Sequence, residues 1–125
     1  MGTMRSRHGQ PAHLRLRVWK EGVSLAADIC KITRHFPRQM QMSLGLQMQG
    51  SAVSVPSNIA EGAARGSTNE FLRFLRISRA SLMELDTQIR IARNIELINE
   101  PETLLERIRA QNAKLNALIQ TREAK

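Results

Sequence analysis

Pro56 lies inside an apolar pattern that otherwise repeats with helical spacing, in the stretch Ala52-Val53-Ser54-Val55-Pro56-Ser57-Asn58-Ile59-Ala60-Glu61-Gly62. A proline within a helix removes one backbone hydrogen bond and clashes with the carbonyl four residues back. A helix that keeps one needs neighbours that cover the opened backbone. The chain around Pro56 is therefore expected to be a packed helix rather than an isolated amphipathic one. Ser57 and Asn58 are the side chains best placed to hydrogen-bond that backbone or a neighbouring helix.

Helical periodicity extends through most of the sequence, and nothing in it alternates like a strand. A first helix is expected over Val18–His35, with Val18, Trp19, Val23, Ala26, Ile29, Cys30 and Thr33 on one face and Phe36-Pro37 as its stop. A second is expected over Gln39–Glu61. Leu44, Met48, Ala52, Val55 and Ile59 form one stripe, and Met42, Leu46, Val53 and Ala60 form another. Gly50, Ser54 and Ser57 line up as a small-residue face. Two apolar stripes on one helix require cover on two sides, so part of it is expected from another subunit. Gly62 is read as the residue following the helix end.

A third helix starts at Ser67 or Thr68, with Glu70 in capping-box spacing from Ser67. Phe71, Phe74, Leu75, Ser78, Leu82, Leu85, Ile89 and Ala92 make its core stripe, and it should end near Arg93–Glu96. Ile77 and Ile91 lie off the stripe. A fourth helix follows Asn99-Glu100-Pro101, with Pro101 suited to the first turn. Leu104, Leu105, Ile108, Leu115, Leu118 and Ile119 are its core positions, and Asn112 is a polar break that can set register. The chain thus reads as all-α: an antiparallel up-and-down four-helix bundle over 14–125, preceded by a disordered basic arm over 1–13.

The 125 residues suffice for one domain and one core. No run of about 18 apolar residues exists, so no membrane span is expected. The N-terminus lacks the apolar stretch of a secretory signal. Cys30 is the only cysteine, which excludes an internal disulfide and fits a reducing cytoplasm.

Net charge is +8, from 19 basic and 11 acidic residues, and fifteen of the basic residues are arginine. Arginine suits bidentate contact with phosphate or carboxylate. Arg5, Arg7, Arg15 and Arg17 supply half of the excess. Arg73, Arg76, Arg79, Arg90 and Arg93 flank the third helix's core stripe, with Glu84, Glu70 and Asp86 nearby. With Arg65 they are candidate phosphate contacts, or else a solvated face with local ion pairs. The aromatics are Trp19, Phe36, Phe71 and Phe74 alone, too few for a base-stacking platform.

Glu61 falls at the negative end of its helix, where a carboxylate is disfavoured. It is either an ion-pair partner of Arg65 that fixes the turn or a carboxylate with a binding or general-base role. His8, His13 and His35 form no helix-spaced ligand pair, so no metal and no cofactor is expected. Gly62 and Gly66 do not have phosphate-loop spacing. Without a convergent acid, base and nucleophile, the chain is not expected to be an enzyme.

Four pieces of the chain, together spanning roughly 16–90, carry a family resemblance. They are Val18-Trp19 with Leu25, Ile29, Thr33 and Phe36-Pro37; Leu46-Gln47; Ala52 to Gly62; and Arg65, Ser67, Glu70-Phe71, Phe74-Leu75, Ile77, Ser81-Leu82, Glu84-Leu85 and Gln88. This pattern resembles the ribosomal-RNA intervening-sequence protein family of small bacterial four-helix bundles. That family is similar in turn to the accessory proteins of diversity-generating retroelements, pentameric helical barrels that act with a reverse transcriptase and nucleic acid. The resemblance implies a ring-like homo-oligomer, a pentamer, with RNA or DNA as a partner and Pro56, Ser57, Asn58, Glu61 and Gly62 as structural motif residues. A structural or adaptor oligomer that binds a protein partner is the alternative. The chain departs from the family at Gln49-Gly50, where members often carry basic residues, and at Cys30 and Ala80.

Overall fold

The computed structural model describes residues 6–124, with side chains from 13 onward. It is all-α, and no strand occurs among the described residues. Helix α1 spans Ser6–Thr33. A short α2 (Arg38–Met40), a π-helical turn (Gln41–Gly45) and α3 (Leu46–Ala64) follow one another without a break and form the second rod of the bundle. Helix α4 spans Thr68–Asn94 and α5 spans Glu102–Glu123.

Contacts between the rods set the topology. Thr33 meets Gln49, and Gly22 meets Pro56, so α1 and α3 run antiparallel. Ser81 meets Ser54, and Phe71 meets Gly62, which does the same for α3 and α4. Arg76 pairs with Glu123 and Arg79 with Asn116, reversing α4 against α5. Arg107 bonds Asp28 and Lys114 bonds Glu21, so α5 closes the square against α1. The four-helix bundle follows from each amphipathic rod burying its stripe against two neighbours. Ile29, Met48, Ile59, Leu75, Leu82, Leu85, Ile89, Ile108, Leu115 and Leu118 are fully buried in its centre.

The α4 stripe reads as expected: all eight of its positions are buried. The expected cap forms too, with the Glu70 amide donating to Ser67 Oγ at 3.1 Å. Other expectations need correction. Helix α1 begins at Ser6, not Val18, because Leu14 lies one turn before Val18 and packs on the core. Residues 6–13 of the expected arm are therefore helical, whereas Arg5 and the Arg7 and His8 side chains lie outside the described residues. Trp19 and Val23 are exposed. The buried face of α1 is instead Val18, Gly22, Leu25, Ala26, Ile29 and Thr33. The second stripe of the second rod (Met42, Leu46, Val53 and Ala60) is also exposed.

Gly62 does not follow a helix end. It lies within α3, and an added Cβ there would fall 2.7 Å from Phe74 Cβ, so its role is to let α3 and α4 approach. The residue past the end is Gly66, whose φ of +81° is the left-handed conformation that glycine adopts without strain. The buried polar residue of α5 is Gln111 rather than Asn112. Gln111 Nε2 donates to the Val18 carbonyl at 2.8 Å, in space that Gly22 leaves open.

The end of α4 is built differently. The Leu97 amide bonds the Ala92 carbonyl at 2.8 Å and the Glu96 amide bonds the Arg93 carbonyl at 3.0 Å. This is a Schellman closure, and it holds Glu96 at φ +66°. A side chain there costs about 1–2 kcal/mol, and its carboxylate faces the negative end of the helix. Glu96→Gly should therefore stabilise the protein by about 0.5–1 kcal/mol after the extra freedom of the unfolded glycine is deducted. Urea denaturation should show the midpoint rising with an unchanged slope.

Candidate functional site

The Pro56 turn is buried at the centre of the bundle. Its ring lies against Gly22 of α1, where a Cβ would come within 3.3 Å of Pro56 Cβ. A glycine in α1 thus makes room for a proline in α3. Serines of α4 tie the same segment to the next rod. Ser78 Oγ donates to the Val55 carbonyl at 2.9 Å, and Ser54 and Ser81 share a hydrogen bond of 2.8 Å. Asn58 Nδ2 donates to both the Ser54 carbonyl and the Ser54 hydroxyl, each at 2.8 Å. Asn58 therefore braces the turn before the proline, and Ser57 is exposed. These contacts make the segment a polar clamp between three rods. Ser78 and Gly22, its partners on other helices, are recognisable only from spatial neighbours.

Gln49, at the departure from the family's basic pattern, is also engaged internally. Its Nε2 donates to the buried Thr33 hydroxyl at 2.8 Å, linking α3 to the end of α1. Gln41 Nε2 closes that same end by donating to the carbonyls of Arg34 and Phe36, at 2.7 and 2.8 Å.

Glu61 is exposed on the last turn of α3. Arg65 Nε and Nη2 both lie 2.9 Å from Glu61 Oε2. Arg65 also lies 3.7 Å from Glu70, which Arg73 approaches at 3.6 Å. Both guanidiniums stand over the Phe74 ring, at 5.0 and 4.9 Å from its centroid. The outcome is a surface network in which two carboxylates and two arginines surround one ring edge of the core.

The remaining candidate arginines lie along α4. Arg76 pairs with Glu123, and Arg90 with Asp86 at 2.7 Å. Arg79 Nη1 donates to Asn116 Oδ1 at 2.8 Å, and so keeps its charge without a carboxylate. Arg93 is exposed and has no ion pair among the described residues. The structure thus strings five of the six along α4 and places Arg65 at the end of α3, but four of the six face carboxylates. Glu70 and Asp86, on α4 itself, and Glu61 beside Arg65 are legible as partners, whereas Glu123 reaches Arg76 from α5 and is not.

Among the described residues no group of His, Cys, Asp and Glu has the arrangement of a metal site. No helix among the described residues is long and apolar enough to cross a membrane. Cys30 is half-buried on α1.

A family model described as 23S rRNA-intervening sequence protein matches residues 15–120. The match runs from Arg15 within α1 nearly to the end of α5, further than the roughly 16–90 that carried the resemblance. No curated protein matches the chain.

Proposed function

The chain belongs to the 23S rRNA-intervening sequence protein family, and from that premise we propose that it is a non-enzymatic, self-associating bundle that binds the backbone of RNA or DNA through arginines. The carrying observation is the state of the α4 arginines and of Arg65 at the end of α3. The side chains of Arg65, Arg73, Arg76 and Arg90 remain about half exposed in their ion pairs. Exposed pairs of this kind contribute about 0–1 kcal/mol, so a phosphate can replace the carboxylate at little loss. Arg79 and Arg93 are charged without a carboxylate partner and extend the same helix. Recognition would be of backbone and shape rather than bases.

Self-association is supported by large apolar side chains left in solvent. Met42 and Leu46 are 60% and 51% exposed, and Val53, Ile77 and Ile91 are exposed as well. These residues sit on α3, the π-turn before it and α4, so one copy presents two apolar stripes. The ring-like homopentamer is the assembly we propose for them, in the cytoplasm. The same Met42–Leu46 stripe favours a second reading, an adaptor oligomer that docks a protein partner.

Charge reversal separates the two. Arg73→Glu with Arg76→Glu should weaken RNA binding strongly. It should also make the slope of log affinity against log salt shallower by about 1.4 for a single strand, the change for two lost phosphate contacts. Fluorescence anisotropy with a labelled RNA over a salt series reads both. Binding insensitive to salt and to the reversal would sink the arginine mechanism. The adaptor reading would then be tested at Met42 and Leu46.

A further inference from the structure

At the end of the bundle where α3 turns into α4, a cavity of about 180 Å³ opens between the four rods. Its walls include Arg15 from α1, Arg122 from α5, and Gly66, Ser67, Thr68 and Phe71 from the turn and the start of α4. No carboxylate lines it. Arg122 is held by stacking over the Phe71 ring, 4.8 Å from the centroid. Neither Arg15 nor Arg122 has an ion pair among the described residues. Arg122 Nε is buried without a hydrogen-bond partner. Two guanidiniums that converge on a polar cavity without an acid between them repel each other. Burial, and then the Arg15 charge, pull the Arg122 pKa below its ordinary value. An anion between the two cations would relieve that repulsion.

We propose that this cavity binds a phosphate group, held between Arg15 and Arg122 at the first turn of α4. The two guanidiniums supply the charge. Thr68, the first residue of the long helix α4, lines the same space, and the amides of a helix's first turn lack intrahelical partners. Tetrahedral oxyanions suit the site because donors arrive from three separate elements. A free phosphate monoester and the phosphorylated end of a nucleic-acid strand share this chemistry. The site is separate from the α4 arginine row and does not depend on how that row is used.

The test titrates the full chain with inorganic phosphate at constant ionic strength, read by amide NMR and calorimetry. Saturable shifts confined to Gly66, Ser67 and Thr68 are expected. Arg15→Met and Arg122→Met should each weaken phosphate binding by about tenfold or more, the size of one lost charged hydrogen-bonding partner. Both keep the apolar stem, and Arg122→Met removes a repelled, desolvated charge, so the fold should persist. Thr68→Pro is a second probe. It deletes one amide donor at a first-turn position that proline favours, and should weaken binding with the helical circular dichroism unchanged.

A 5′-mononucleotide and a 5′-phosphorylated RNA oligonucleotide should compete with phosphate, while a 5′-hydroxyl oligonucleotide should not. Tighter binding of the phosphorylated strand would assign a strand end as the ligand, and equal binding a free monoester. Shifts that do not saturate, or affinities unchanged in all three variants, would overturn the site. Arg73→Glu with Arg76→Glu should leave phosphate binding here intact, which keeps this result distinct from that of the nucleic-acid reading.

Discussion

Gly62→Ala should destabilise the protein by about 2 kcal/mol, whereas Gly50→Ala, on the same helix, should stabilise it by about 0.5–1 kcal/mol. The two substitutions add the same methyl group and gain the same helix propensity. They differ in what the methyl meets. At Gly62 a Cβ would fall 2.7 Å from Phe74 Cβ and 3.0 Å from Phe71 Cδ1. Phe74 Cβ is fixed to the α4 backbone, so a rotamer change cannot relieve the contact and the two helices must separate. Overpacking of this kind costs about 1–3 kcal/mol, and the upper part of that range applies where backbone has to move. At Gly50 nothing lies within 4 Å of an added Cβ, so only the propensity gain remains. Urea denaturation should therefore move the two midpoints in opposite directions. A Gly62→Ala protein as stable as wild type would mean that α3 and α4 are not in the close contact that carries the Ser54–Ser81 and Ser78–Val55 hydrogen bonds.

The two glycines of the α3–α4 turn also show what a sequence can and cannot reveal here. A glycine at the end of an apolar pattern suits both a left-handed cap and a close helix crossing. Only the facing helix decides between them, which is why Gly62 reads as a cap when Gly66 is the residue with φ +81°. The α4 stripe is legible because large apolar residues mark every position of its buried face. Helix α1 shows its buried face only in part: Val18, Ala26, Ile29 and Thr33 read correctly as buried positions, but Gly22 has no side chain to register as apolar while exposed Trp19 and Val23 do. On α5, Gln111 and Asn112 both follow Ile108 at a spacing compatible with burial. The choice falls to Gln111 because Gly22 opposes it and the Val18 carbonyl accepts from it. The arginine row of α4 is likewise visible in the sequence. Its neutralisation is visible in part, at Glu70 and Asp86 on the same helix, while Glu123 reaches Arg76 from another rod. The Arg15–Arg122 cavity had no signal at all: its two cations are more than a hundred positions apart, and only the antiparallel closure of α5 against α1 brings them together.

Ile89→Ala should destabilise the protein by about 2–5 kcal/mol, while Ile91→Ala, two positions along α4, should change the stability of the isolated subunit by less than about 0.5 kcal/mol. Ile89 is fully buried in the bundle centre and Ile91 is 45% exposed. Truncating Ile89 leaves a cavity among core side chains that are themselves fixed in helices, and the site can collapse only in part. The loss is large against the total of about 5–15 kcal/mol typical of a domain. Ile91 tests something else. If it belongs to a subunit interface, its truncation should act through association, so apparent stability would depend on protein concentration. Sedimentation of wild type and Ile91→Ala over a concentration series should then show the variant dissociating at higher concentration, with a helical content like that of wild type. Ile89→Ala should show the reverse, a lower unfolding midpoint at every concentration. An Ile91→Ala protein indistinguishable from wild type in both experiments would remove α4's off-stripe isoleucines from the interface. Self-association would then have to rest on Met42, Leu46 and Val53, a single stripe, which suits a two-fold contact between like faces better than a ring built from two different ones.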